Sequence, residues 1–182
     1  MRSQDIAIIG ILLACAAIAR LTANFIPGPI VSNLAIGFYC LAIILTMPKI
    51  GEALGIGIVA GIICAGISHS IFPAANLISE PVGVLVCLGV YGLLSSRMKR
   101  IELSAGITTF LATCASGYTF VLVAFLATTP VIAGEASLLE LAPPFFIMLS
   151  PIVLGTALAN SVVVGLLVHP AIRVIKRSSE HS

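Results

Sequence analysis

The chain has 182 residues, a net charge of +2, and a composition that is 59% hydrophobic and only 9% charged. Its mean hydropathy of +1.20 excludes a soluble globular domain, in which about half of the residues are apolar. The repeated polar–apolar alternation of a membrane β-barrel is absent, so the composition predicts an all-α integral membrane protein.

Six apolar runs approach the length of roughly 20 residues that a helix needs to cross a bilayer. They predict one six-transmembrane-helix bundle over residues 1–182, and the fourth run is short and begins within or just after a polar segment. The predicted spans are 6–23, 30–47, 53–71, 81–96, 104–129 and 143–169.

The basic residues give the predicted orientation. With six spans both termini lie on one side, and all lysines and arginines except Arg20 fall near that side. Because cytoplasmic loops are enriched in these residues, both termini are predicted to be cytoplasmic. The predicted location is the cell membrane, as a multi-pass protein.

Small residues recur on spans one and three. On span one they form a stripe of Ala7, Gly10, Ala14 and Ala17, while the stretch 51–70, which includes most of span three, carries five glycines. Such stripes let helices approach closely. Packing inside the bundle would explain either stripe, and we interpret span three mainly as internal packing.

The segment SHSIFPAANLISEP at 68–81 places polar residues between two long apolar runs. Polar groups at the end of a span are costly unless they meet water, a partner or a ligand. Arg20, at the outer end of span one, and Glu80 are predicted to hold the carboxylate and ammonium groups of a zwitterionic ligand. A structural ion pair between them is the alternative.

Further candidates lie around this segment. His69 could be an interfacial residue or a ligand contact, and Asn76 could cap the break at Pro73. Asn160 should face the bundle interior, because an unpaired amide in a membrane is costly. The predicted substrate-binding set is Arg20, Asn24, His69, Phe72, Asn76, Glu80, Tyr118 and Asn160.

Enzymatic motifs are absent. Ser68 and His69 are adjacent, so on a helix they point about 100° apart and cannot form a nucleophile–base pair with each other. The sequence has no HExxH pair, no P-loop and no dinucleotide-type glycine loop. Five cysteines without a CxxC pair suggest neither zinc nor disulfides. We expect no enzyme, no cofactor, no metal and no nucleic-acid partner.

The layout resembles the substrate-binding S components of energy-coupling-factor (ECF) transporters, most closely the tryptophan transporter group. The residues that carry the resemblance are GIVAGIICAGIS at 57–68, FPAANLISEP at 72–81 and LANSVVVGLLVHPAIRVIKRSS at 158–179. At Ala75–Asn76 the group's pattern has Gly-Gln, and at Ser79–Glu80 it has Asp-Lys. The resemblance implies that span one docks a transmembrane coupling subunit through its small-residue stripe, and that partner ATPases hydrolyse ATP.

The expected function is therefore capture of a small nutrient, tryptophan or a related aromatic metabolite, for uptake with an energy-coupling ATPase module. Two alternatives stay open. A stand-alone ion-coupled secondary transporter would need an ion site, for which Glu80 and His69 are the candidate pair. A membrane scaffold protein would bind no ligand.

Overall fold

The computed structural model describes residues 2–25, 32–132 and 138–179, and these residues form six α-helices, one 3₁₀ turn and no strand. The helices are α1 (Ser3–Ala23), α2 (Ala35–Thr46), α3 (Ile50–Ile67), α4 (Asn76–Ser95), α5 (Ile101–Ile132) and α6 (Leu138–Ser179). Five helical segments are long and apolar enough to cross a membrane, namely α1, α3, α4 with the turn before it, α5 and α6. The prediction of an all-α, multi-pass membrane protein is confirmed at this level.

The short helix α2 forms the centre of the bundle. Its 12 residues extend about 18 Å at ~1.5 Å per residue, less than the ~30 Å hydrocarbon core of a bilayer. It contacts all five other helices, which surround it in the order α1, α3, α4, α5, α6. Side chains are buried on every side of α2, with Tyr39, Cys40 and Ile43 all 0% exposed. A helix that is apolar all round belongs in such a position.

Within the described part of the predicted span 30–47, the helix begins at Ala35, and the count of six membrane crossings stays a prediction. Ser32 and Asn33 precede the helix as irregular backbone. Irregular backbone is tolerated at membrane depth where protein surrounds it. Residues 26–31 of the predicted outer loop lie outside the described residues, as do residues 133–137 between α5 and α6.

Local chemistry sets several helix ends. The Asp5 carboxylate accepts the backbone N–H of Arg2 at 3.0 Å, and Glu52 does the same for Lys49 at 2.8 Å. Each carboxylate satisfies a donor just before a first turn, where negative charge is favoured. Met47 ends α2 with a left-handed φ of 44°, and its N–H reaches the Ile43 carbonyl at 2.8 Å. Pro48 then prevents continuation.

The glycines of α3 serve two different surfaces. A Cβ on Gly57 would lie 2.7 Å from the Cα of Pro81, and one on Gly61 would lie 2.9 Å from the Asn76 carbonyl oxygen. These glycines therefore allow α3 and α4 to pack backbone against backbone. Gly55 has nothing within 4 Å of its added Cβ. The interpretation of span three as internal packing therefore holds for Gly57 and Gly61 but not for Gly55.

The polar segment 68–81 is partly helical. A 3₁₀ turn at Pro73–Ala75 leads directly into α4, which begins at Asn76 rather than at residue 81. Pro81 lies inside the helix and leaves it unbroken. The early start places Ser79 and Glu80 on the first turns of α4, where both side chains are buried in the bundle.

Candidate functional site

A buried arginine joins three parts of the chain at the end of the bundle where α1 and α3 finish. Arg20 is 1% exposed. Its guanidinium donates to the Ser68 hydroxyl at 2.7 Å and to the Ser32 carbonyl at 3.1 Å. Ser68 in turn donates to the Ser70 hydroxyl at 2.9 Å. Among its described contacts, the guanidinium is bound by neutral oxygens from the end of α3 and from the segment before α2.

A buried glutamate lies on α4 within the same region. Glu80 is 0% exposed. Its carboxylate accepts hydrogen bonds from the Asn33 amide, from the Tyr39 hydroxyl at 2.8 Å and from the Ser116 hydroxyl at 3.4 Å. A Cβ on Gly83 would approach the Tyr39 hydroxyl to 2.6 Å. Glycine one turn after Glu80 therefore makes room for the tyrosine that binds it.

Asn33 connects several members of this network through its side chain and its backbone carbonyl. Its amide donates to Glu80, its backbone carbonyl accepts the Asn160 amide at 3.0 Å, and its side-chain oxygen accepts the Cys64 thiol at 3.8 Å. The Asn160 amide also reaches the Thr113 hydroxyl at 3.3 Å. One residue before α2 thereby links α3, α4 and α6. Buried polar groups hold a unique arrangement when they are satisfied in this way.

A cavity of about 420 Å³, including space open to solvent, adjoins this network. One wall, from α1, α4 and the segment before α2, is mainly polar, while α5 and α6 supply a mainly apolar wall with hydroxyls beside it. The lining combines apolar surface with a few polar groups, which is the mixture found in small-molecule pockets. The described lining residues are Arg20, Ser32, Asn33, Ile36, Asn76, Ser79, Thr113, Ser116, Gly117, Phe120, Val121, Ile152, Val153 and Thr156.

Ser79 brings an unpaired polar group to this cavity. It is one of the lining residues and is 1% exposed, and its hydroxyl has no hydrogen-bond partner among the described residues. Leaving a buried hydroxyl unpaired costs about 1–3 kcal/mol. A ligand with a polar group in the cavity would satisfy it.

The two buried charges are not in direct contact. Among the described residues, the salt bridges do not include a pair between Arg20 and Glu80. The two groups are still near enough to interact electrostatically. Arg20 lines the cavity and Glu80 stands behind its wall, bound by its own donors. The structural ion pair considered above is therefore absent as a direct contact.

Two other predicted binding residues have their amides engaged by protein. Asn76 lines the cavity while its amide donates to the Pro73 carbonyl at 2.7 Å, which is the predicted cap of the break. Asn160 is 2% exposed and faces the interior, bonded to Asn33 and Thr113. Asn160 supports the site from outside the lining.

The remaining predicted residues lie outside the lining as described. His69 is exposed. The Asn24 amide donates to the Ile67 carbonyl at 2.8 Å, which joins the ends of α1 and α3. Phe72 packs in a cluster with Phe120, and the Tyr118 hydroxyl donates to Ser150 at 3.2 Å. Their roles in binding stay predictions, and Phe72 supports the cavity through Phe120.

Sequence reasoning missed several residues of the site. Ser68 and Ser79 lie within the polar segment 68–81, from which His69 and Asn76 were predicted as binding residues and the two serines were not. Thr113 and Ser116 are three residues apart on α5, a spacing that places them on one helix face. That pattern was available in the sequence. Asn33 had no local signal, because its partners are far away along the chain.

The small-residue stripe of α1 faces away from the bundle. Ala7, Gly10 and Ala14 are exposed, Ala17 is half-buried, and a Cβ on Gly10 would meet nothing within 4 Å. The stripe is therefore not used for packing within the described part of the chain.

Comparison of the chain with protein-family models, with curated proteins and with solved structures gave no match. The resemblance to S components accordingly stays a prediction.

Proposed function

We propose that this membrane protein captures a small organic molecule in the cavity between Arg20 and the α5–α6 wall. The observation that carries the proposal is the unpaired buried hydroxyl of Ser79 in that cavity. A buried guanidinium in the same wall supports it, because ionisable groups inside a membrane bundle are costly and mark functional sites.

The proposed ligand class is tryptophan or a related aromatic metabolite. Phe120 presents an aromatic ring to the cavity beside Val121, Ile152 and Val153. Such a surface suits a flat apolar body, and the aromatic substrate follows from the resemblance to the tryptophan group. In the proposed function the protein needs no cofactor and catalyses no reaction.

The proposal is tested by a thermal-shift screen of the purified protein against amino acids, aromatic acids and vitamins. At least one compound is expected to raise the melting temperature in proportion to its concentration, as ligands of the native state do. Stabilisation by none of them would contradict ligand capture and favour a scaffold.

The proposed mode of action is that of an S component, in which a transmembrane coupling subunit docks on α1 and partner ATPases supply the energy. The outward stripe of Ala7, Gly10, Ala14 and Ala17 supports this, since it offers a smooth surface that the bundle leaves uncovered. In the proposed location, the cell membrane with cytoplasmic termini, the cavity end of the bundle faces outward.

Leucine at both Gly10 and Ala14 is expected to abolish uptake in the native host and to leave ligand affinity within about twofold, because the added side chains project outward. Uptake of radiolabelled ligand and affinity of the purified protein are the two measurements. Gly55→Leu is the matched control, since Gly55 is equally open but lies on α3. Normal uptake by the double variant would rule out docking through this stripe.

Uptake by the purified protein alone in liposomes would favour the secondary-transporter alternative. The proposed ion site of that alternative has little support in the described contacts, because His69 is exposed while the Glu80 carboxylate is bound by three donors.

A further inference from the structure

The charge on the cavity wall has one sign. Arg20 is a lining residue, and no carboxylate occurs among the described lining residues. Glu80, the nearby acid, stands outside the lining and its two oxygens are occupied by Asn33, Tyr39 and Ser116. An ammonium group in the cavity would therefore meet a guanidinium and find no carboxylate, whereas a ligand carboxylate would meet a favourable charge.

Hydrogen-bond capacity on the polar wall points the same way. The Asn33 amide donates to Glu80 and the Asn76 amide to the Pro73 carbonyl, so each amide uses one of its two N–H donors within the protein. The Ser79 hydroxyl has no partner among the described residues, and it can donate one hydrogen bond as well as accept one. A carboxylate has two oxygens that accept several hydrogen bonds, so it can satisfy the Ser79 donor while facing Arg20.

The opposite wall defines the other half of the ligand. Phe120, Val121, Ile152 and Val153 present apolar surface, and a Cβ on Gly117 would lie 2.7 Å from Val153. Gly117 thus lets α5 and α6 close together against the cavity. This wall suits an apolar body without further charge.

We propose that the ligand is an organic anion, with a carboxylate toward Arg20 and Ser79 and an apolar, preferably aromatic, body against the α5–α6 wall. This inference rests on the proposed function and refines it. It replaces the zwitterion clamp: an α-ammonium group is not recognised, and Glu80 orients Asn33 and Tyr39 instead of touching the ligand.

Three compounds with the same body test the inference on the wild-type protein at pH 7. Indole-3-propionate carries only the carboxylate, tryptamine only the ammonium, and tryptophan both. The phenyl series of 3-phenylpropionate, phenylalanine and phenethylamine repeats the comparison with a smaller ring. Dissociation constants come from calorimetry or from concentration-dependent thermal shifts.

Within the series that binds, the carboxylate compound is expected to bind at least as tightly as the amino acid. The amine is expected to bind roughly tenfold or more weakly, the ratio that corresponds to losing a hydrogen bond to a charged group. An amine as tight as the acid would overturn the inference, and so would an amino acid more than tenfold tighter than the acid.

The outcomes separate this inference from the function on which it rests. Binding of a screened compound without dependence on a carboxylate leaves capture standing and overturns the anion preference. The absence of binding by every compound in both series and in the screen overturns both proposals.

Discussion

Replacing Glu80 by alanine is expected to destabilise the purified protein by roughly 3 kcal/mol or more, because two buried hydroxyls and one half-buried amide lose their acceptor. The donors are the Asn33 amide and the hydroxyls of Tyr39 and Ser116. The buried charge of Arg20 also loses its nearby opposite charge. Thermal denaturation in detergent measures the effect, and a fall of roughly 5 °C or more is expected.

Two further variants show whether the loss of stability comes from removing a buried acceptor. Glu80→Gln keeps an acceptor oxygen and almost the same volume, so it is expected to lose less than the alanine variant. Glu102→Ala removes a glutamate that is about half exposed, with a side-chain exposure of 48% in its pair with His169, and exposed pairs contribute at most ~1 kcal/mol. Equal melting temperatures for Glu80→Ala and Glu102→Ala would contradict the proposed role of Glu80 in holding the site.

Replacing Arg20 by alanine is expected to weaken ligand binding by roughly tenfold to a hundredfold, the loss that follows from removing a hydrogen bond to a charged group. Lysine at this position keeps the charge but not the planar fork, so an intermediate affinity is expected. The affinity of the screened ligand, measured by calorimetry, gives the comparison.

Stability alone could lower the affinity of the Arg20 variant, because Arg20 also binds Ser32 and Ser68. Asn24→Ala provides the control. It removes the link from Asn24 to the Ile67 carbonyl at the same end of the bundle, and Asn24 does not line the cavity as described. Comparable affinity losses in both variants would assign Arg20 a structural role only.

Much of the architecture was predictable from the sequence because apolar runs of membrane length report helices directly. The central position of α2 was not, since uniform hydrophobicity is the same for a lipid-facing helix and for one enclosed by protein. α4 begins within the polar segment, as the prediction for the fourth run allowed, although the predicted span started only at residue 81 because Asn76 and Glu80 look like loop residues. Their side chains are tolerated in a helix here because partners on α2 and α5, and the Pro73 carbonyl, bind them.

Arg20 and Glu80 stood out in the sequence as charges within apolar runs, and both belong to the buried site. The residues that each of them contacts were not predictable from the sequence. Asn33 meets Asn160 from 127 positions away, and no local pattern encodes such a contact. Ser79 could not be told from Ser104 by sequence, since both are serines on membrane helices. The cavity alone separates them.

Ser79 and Ser104 also provide a direct test of whether the cavity binds a small molecule. Ser79 and Ser104 are each 1% exposed, and each hydroxyl lacks a hydrogen-bond partner in the described structure. Only Ser79 is among the residues that line the cavity. Removing either hydroxyl relieves a buried unpaired group, so neither alanine variant is expected to lower stability.

The decisive measurement is the dissociation constant of the ligand found in the screen, for the wild type, Ser79→Ala and Ser104→Ala. Ser79→Ala is expected to bind the ligand roughly fivefold or more weakly, by the loss of one hydrogen bond, while Ser104→Ala is expected to stay within about twofold of the wild type. Equal affinity of all three proteins would contradict ligand binding in this cavity.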